Sequence, residues 1–268
     1  HTLYDIVRKL PEGAQIELSL DAESGQLNLK AGRSNFALQS LPKEDFPSIG
    51  DGALPHEFSL SAENLRVLID STRFAVSTEE TRYYLNGIYC HAADHDGVKM
   101  LRAVATDGHR LARLEMPLPE GAEEIPGVII PRKAVGELRR LLDDTNDDVR
   151  IALSETKIRF SLGDPGSGLI LTSKLIDGTF PDYERVIPQG NDKPLEVDAK
   201  SFSQAVDRVS TISTEKSRAV KLVMDAGSLT LKATSPDAGS ATEELEVSYD
   251  SGALEIGFNS KYLLDIAG

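Results

Sequence analysis

Four times along this chain a short alternating strand runs straight into an amphipathic helix, and that recurrence restricts the fold more than any other feature. The copies are Phe58-Ser59-Leu60 into 61–69, Val128-Ile129-Ile130 into 132–142, Leu195-Glu196-Val197 into 200–209, and Leu254-Glu255-Ile256 into 260–266. Their strand starts lie 59 to 70 residues apart, a spacing that marks a repeated unit. Each helix has one apolar face. In the second, Val135, Leu138, Leu141 and Leu142 recur three and four apart, so that face must pack against something. Ser61 and Asp198 stand where N-caps belong.

The half-modules come in two kinds that alternate. The run Ser77-Thr78-Glu79-Glu80-Thr81-Arg82 returns as Ser213-Thr214-Glu215-Lys216-Ser217-Arg218, 136 residues later. Leu41 to Phe46-Pro47 returns as Leu175 to Phe180-Pro181, 134 residues later. Residues 54–190 hold the one complete pair, so the array starts and stops in mid-period. The natural polypeptide is expected to extend beyond both ends, with at least three such domains. Between the helices the alternation predicts strands over 26–31, 85–92, 100–105, 111–115, 157–162, 169–174, 220–224, 229–233 and 243–249. Asp96-Gly97 and Asp107-Gly108 both read as tight hairpin turns. The fold class is α+β, built from repeated helix-plus-sheet half-modules.

Composition bounds the function. The chain is 40% apolar and 27% charged, ordinary for a globular protein, and has no apolar run long enough to span a membrane. Its first ten residues are charged and unlike a signal peptide. A single cysteine, Cys90, fits a reducing cytoplasm. The net charge of −14, from 29 basic and 43 acidic residues, argues at first against a nucleic-acid partner. The charge is segregated, however: the four helical segments 1–10, 61–73, 131–143 and 199–218 sum to +5, leaving −19 elsewhere. Such a division suits a polyanion held on the helical side and repelled from the others. It also suits helix faces that are merely solvated.

Several motifs have more than one reading. Thr106-Asp107-Gly108-His109-Arg110-Leu111 is a hairpin turn, or a site in which Asp107 orients His109 as a base; no partner nucleophile accompanies it. Cys90-His91 with Asp94-His95-Asp96 resembles a metal cluster, but adjacent strand residues point to opposite faces. Arg82-Tyr83-Tyr84 is either a pair of half-buried tyrosines or a loop that touches phosphate and stacks on a base. The second copy keeps Arg218 but has Ala219 and Val220 in place of the rings, which favours a functional role in the first copy. In Phe180-Pro181-Asp182-Tyr183-Glu184-Arg185-Val186, proline stops the sheet and Phe180 closes a core. Pro181, Arg185 and Val186 lie at a domain junction, where grooves form. A hydrolase or metalloenzyme using His109, Asp107, His91 and His95 is one alternative reading of the chain, and a β-rich interaction scaffold is another.

Arg82-Tyr83-Tyr84-Leu85-Asn86-Gly87, Val104 to Leu111, Ile130-Pro131-Arg132-Lys133, Thr172-Ser173-Lys174-Leu175 and Phe180-Pro181-Asp182-Tyr183 together resemble the bacterial sliding clamp, the beta subunit of DNA polymerase III. The resemblance runs across the whole chain. It implies a non-catalytic, head-to-tail homodimeric ring of three similar domains per subunit, with sheets outside and helices lining a central hole. Residues 1–53 would be the second half of domain one, 54–190 all of domain two, and 191–268 the first part of domain three. Implied partners are double-stranded DNA, held topologically without sequence preference, and the polymerase subunit, clamp loader and repair proteins, held through short peptide motifs. The resemblance maps a peptide groove to Leu85, Thr106, Gly108, His109, Arg110, Leu111, Pro181, Arg185 and Val186, and DNA contacts to Arg82, Tyr83, Tyr84, Arg132 and Lys133. It implies no cofactor, metal or membrane. Relative to the family pattern, the opening half-module of domain one and the last strands of domain three are missing, so this stretch alone is expected to leave the ring open and the groove half-built.

Overall fold

The computed structural model describes residues 2–21, 23–46, 52–164, 166–213 and 218–268. Pro47 and the second-copy residues 214–217 lie outside these. The chain divides into two compact units, 1–52 and 53–268. The first unit carries a short helix α1 (Thr2–Val7) and an antiparallel sheet of β1 (Glu17–Leu20), β2 (Gln26–Ala31) and β3 (Ser34–Gln39) in that order. Of these strands, alternation predicted only β2. Among the described residues, no helix is long and apolar enough to cross a membrane.

In the second unit, β4 (His56–Ser61) leads into α2 (Ala62–Asp70), followed by the meander β5 (Gly87–His95), β6 (Val98–Thr106) and β7 (Leu111–Pro117). The pattern repeats as β8 (Val128–Pro131), α3 (Arg132–Leu141), β9 (Asp148–Leu153), β10 (Lys157–Leu162) and β11 (Leu169–Lys174). Next come α4 (Ala199–Ser210), β12 (Ala219–Asp225), β13 (Ser228–Ser235) and β14 (Gly239–Glu246), then β15 (Leu254–Asn259) and α5 (Ser260–Ala267). The lead strands do not stay with their own meanders. β4 joins the other half in the order β11-β10-β9-β4, and β8 completes β7-β6-β5-β8. The third sheet, β14-β13-β12-β15, is closed in the same way by the strand before α5.

This exchange makes the central core. Alternation along β5 and β6 turns Ile88, Cys90, Leu101, Ala103 and Ala105 inward, where they meet Leu65, Leu68 and Ile69 of α2 and Val135 and Leu138 of α3. Leu142, just past α3, is fully buried, while Leu141 is only partly so. A second core gathers Phe202, Val206 and Val209 of α4 onto Val220, Leu222, Leu229 and Leu231. Ser61 caps α2 through the Asn64 amide at 3.1 Å, and Asp198 caps α4 through the Ser201 amide at 2.8 Å, as their positions predict.

Three local expectations are corrected. Leu195-Glu196-Val197 is not a strand: Glu196 makes one isolated bridge to Ser248, and the edge of β12 is taken by β15, as that of β5 is by β8. The strand expected over 243–249 runs instead from Gly239 to Glu246, and Tyr249 turns into the core. Of the two Asp-Gly turns, only Asp96-Gly97 is a two-residue hairpin, with φ of 52° and 83° and the pair His95↔Val98 closing it. At Asp107-Gly108 only the glycine has positive φ, 88°, and the loop holds four residues between Thr106 and Leu111.

Candidate functional site

The face of β5-β6-β7 opposite the core is set by register. Cross-strand pairs His91↔Arg102, Tyr89↔Val104, Arg102↔Glu115, Val104↔Arg113 and Thr106↔Leu111 put all these side chains on one side. Over that face fold Phe180 and Tyr183 from the segment after β11. Phe180 stacks on Tyr89 with ring centres 4.9 Å apart, and both join Leu85, Val104 and Ile129 in a small separate core. A cleft of about 720 Å³ opens beside this core, within the range of ligand sites. Eight of the nine residues assigned to the groove from the sequence line it: Leu85, Thr106, Gly108, His109, Arg110, Leu111, Pro181 and Val186. Arg185 does not. Its side chain is 84% exposed and pairs with Asp182 at 2.7 Å.

The loop between β6 and β7 is held by its own side chains. The Asp107 carboxylate accepts the amides of His109 (2.9 Å) and Arg110 (3.0 Å) and the Arg110 Nε (3.0 Å). Burial acts to raise the Asp107 pKa, but these donors outweigh it and hold the carboxyl below its ordinary value. The Thr106 hydroxyl donates to the Arg110 carbonyl at 2.7 Å and accepts the Gly108 amide at 3.1 Å. Thr106 therefore shapes the loop more than it offers a free hydroxyl. The Asp107 carboxylate is engaged by these donors and makes no hydrogen bond to the His109 ring, which leaves the Asp107–His109 base without a geometry. Arg110 reaches across the unit: it donates to Asp265 of α5 at 2.5 Å and to the Phe74 carbonyl at 2.6 Å, and lies 4.4 Å over the Tyr262 ring.

The cleft also takes in Arg113, Asp182, Tyr183, Ile187 and Pro188, which the sequence reading did not assign. Arg113 lies two residues from Leu111 on one strand, so period-two alternation alone could have found it. The others continue the Pro181 run.

The residues assigned to DNA lie on two elements, the turn Glu80–Leu85 and the first turn of α3, joined where the Arg132 amide donates to the Asn86 carbonyl at 2.9 Å. Arg82 and Tyr84 line the cleft, whereas Tyr83 is 52% exposed. Arg82 is not a free cation. It pairs with Glu79 at 2.9 Å and donates to the Asp107 carbonyl at 3.2 Å. Arg132 and Lys133 form the first turn of α3, exposed and without a carboxylate partner among the described residues. Arg132 also borders a second cleft, of about 570 Å³, with Arg73, Phe74, Arg218, Lys261 and Tyr262.

The helix charge is distributed less evenly than the summed sequence charge suggests. Arg139 pairs with Asp70 and Asp143, Arg140 with Glu137 and Arg208 with Glu243, while Arg66 donates to the carbonyls of Leu142 and Thr145. Among the described residues, Arg132, Lys133, Lys200 and Lys261 lack such partners, and all four lie in the first turns of α3, α4 and α5. None of those turns has an acidic residue.

The residues considered for a metal are otherwise engaged. Cys90 is buried in the core, and burial pushes its thiol up to about 12. His91 stacks on Tyr89, and its Nε2 lies 2.9 Å from the Tyr183 hydroxyl. His95 Nδ1 lies 2.6 Å from Glu115. No group of three metal-ligating side chains is clustered among the described residues.

The chain resembles known proteins along its whole length. Profiles of the DNA polymerase III beta subunit match residues 1–50 (N-terminal domain), 59–182 (central domain) and 184–268 (C-terminal domain). The beta sliding clamp of Caulobacter vibrioides is 53% identical over 268 residues, covering 100% of this chain and 71% of the relative. That of Escherichia coli K12 is 41% identical over 265 residues, 98% of this chain and 69% of the relative. The crystal structure of a sliding clamp from Bartonella birtlesii bound to griselimycin superposes with a TM-score of 0.91 at 58% identity, covering 99% of this chain and 70% of that one. The Caulobacter crescentus clamp does so with 0.92 at 53% identity, over 100% and 70%. The chain belongs to the DNA polymerase III beta subunit family, the beta sliding clamps.

Proposed function

We propose that this protein is the processivity clamp of a replicative DNA polymerase, acting in the cytoplasm as a homodimeric ring around duplex DNA and carrying out no bond chemistry. Residues 1–53 are then the second half of domain one, 54–190 domain two, and 191–268 the first part of domain three. The cleft over β6 and β7 takes short peptide motifs of the polymerase subunit, the clamp loader and repair proteins. One observation carries this reading: Leu85, Thr106, Gly108 to Leu111, Pro181 and Val186, distant in sequence, line one apolar-floored cleft with a basic rim.

The physical logic needs only weak DNA contacts. A closed ring cannot dissociate sideways, so its cations can remain non-specific and salt-labile, as sliding requires. Basic residues in helix first turns fit that task, because they add to the positive end of the helix dipole instead of cancelling it. Tethering then supplies processivity through effective concentration: a bound polymerase rebinds its primer before it diffuses away. Combining His109→Ala with Leu111→Ala is expected to lower affinity for a polymerase-derived peptide by more than about 50-fold, given the roughly 2 kcal/mol or more typical of central interface residues. Calorimetry on the intact protein checks this, and unchanged affinity refutes the assignment of the cleft.

A further inference from the structure

The segment that carries Pro181 and Val186 has almost no backbone support. After Ile176, whose amide donates to the Ile129 carbonyl, no backbone hydrogen bond ties residues 177–195 to the rest of the described chain; the next is from Glu196 to Ser248. The short 3-10 turn Tyr183–Val186 has no side-chain cap. Side chains alone must therefore hold one wall of the cleft.

Beyond the packing of Phe180 and Tyr183 in the small core, Arg102 makes two hydrogen bonds to that wall. It is the one charged side chain among the five buried polar or charged residues of the described chain, and is only 4% exposed. Its Nε donates to Glu115 on the neighbouring strand at 2.6 Å, and its Nη1 donates to the Tyr183 hydroxyl at 2.8 Å and to Glu184. His91 completes the set. Its Nδ1 lies 2.9 Å from the Ala92 carbonyl, which can only accept, so in neutral imidazole Nε2 accepts from the Tyr183 hydroxyl. The hydroxyl thus receives from Arg102 and donates to His91. A buried guanidinium whose donors are aimed at fixed acceptors is costly to displace. His91 of β5 and Arg102 of β6, the latter braced by Glu115 of β7, converge on a segment that has no backbone hydrogen bond to the rest of the described chain.

We infer that Arg102 is a positioning residue for the peptide cleft: buried and outside the lining, it is a clamp that fixes the wall formed by residues 181–188 through the Tyr183 hydroxyl and Glu184. This rests on the peptide reading of the cleft. The clamp pre-orders a backbone that would otherwise have to be ordered on binding, so its loss is felt as weaker, faster-dissociating complexes. The sheet beneath is held by its own ladder.

Two variants of the intact protein test the clamp. Tyr183→Phe keeps the ring in the small core and removes the hydroxyl; Glu184→Gln removes one exposed charge partner, 62% exposed. Each is studied by amide hydrogen exchange in the free state and by titration with a labelled peptide from the polymerase subunit. For Tyr183→Phe, exchange is expected to accelerate in 181–188 and stay unchanged in β5, β6 and β7. Affinity should fall about five- to tenfold through the dissociation rate, with a smaller loss in the same direction for Glu184→Gln. Unchanged exchange in 181–188, or acceleration spread over the sheet, would overturn the clamp. Unchanged affinity despite loosened 181–188 would overturn its positioning role. Failure of the unmodified protein to bind the peptide would instead remove the reading of the cleft, and the free-state exchange would still decide whether the clamp exists.

Discussion

Gly108 shows how much a single residue decides at this site. Its φ is +88°, and a Cβ there would come within 2.5 Å of the Arg82 guanidinium, which packs on the loop and donates to the Asp107 carbonyl. Any side chain must accept left-handed strain and also displace the Arg82 guanidinium. Gly108→Ala is therefore expected to destabilise the protein by about 1–3 kcal/mol, the usual cost of a strained backbone position. Chemical denaturation should show that loss together with weaker peptide binding, whereas a neutral result would mean that the loop relaxes freely. The Asp-Gly pair was visible in the sequence as a turn. What was not visible is that Asp107 bonds to Arg110 and the following amides, which spends the carboxylate and removes the acid–base reading of His109.

At the level of elements, the helices were easiest to read and their charges hardest. The three-and-four spacing of Val135, Leu138 and Leu142 marks the buried side of α3 whatever it packs on. Strands β1, β3 and β9 escaped, although Val149, Ile151 and Leu153 of β9 alternate as clearly as any and are all buried. Summed charge placed positive residues on helices, but ion pairs or, for Arg66, backbone carbonyls engage those in the middle and last turns, leaving the first turns of α3, α4 and α5 unpaired. This has a testable consequence at α3. Arg132→Glu with Lys133→Glu puts negative charge at the positive end of the helix, which is expected to stabilise it by about 0.3–1 kcal/mol per site. The same double variant should lose retention on primed circular DNA. Thermal unfolding and loading assays would together show stability maintained or raised while retention falls; intact retention would remove both residues from the DNA surface.

The whole molecule is governed by partnership between distant segments. β4 pairs with β9 and β8 with β5, so neither central half-module closes its sheet without the other. Arg110 then ties the complete half-module pair, 54–190, to α5 through Asp265 and Tyr262. For the proposed ring, retention on DNA should depend on topology before chemistry: complexes on closed circles are expected to survive salt that strips simple electrostatic binders, and linearising the circle should release them. Gel filtration of loaded complexes before and after cutting measures this, and persistence on linear DNA at high salt would refute topological holding.

The sequence by itself determined the repeat, the alternation of strand and helix, and the side of each element that faces a core, because periods of 2 and 3.6 are written in neighbouring residues. Only the tertiary structure decided which meander each lead strand joins, that Arg102 is buried against Glu115, Tyr183 and Glu184, and which cations remain unpaired. Those choices lie between residues tens of positions apart. They are set by which edge is open for backbone pairing and which charge meets a partner once the sheets have stacked, and no local pattern carries that information.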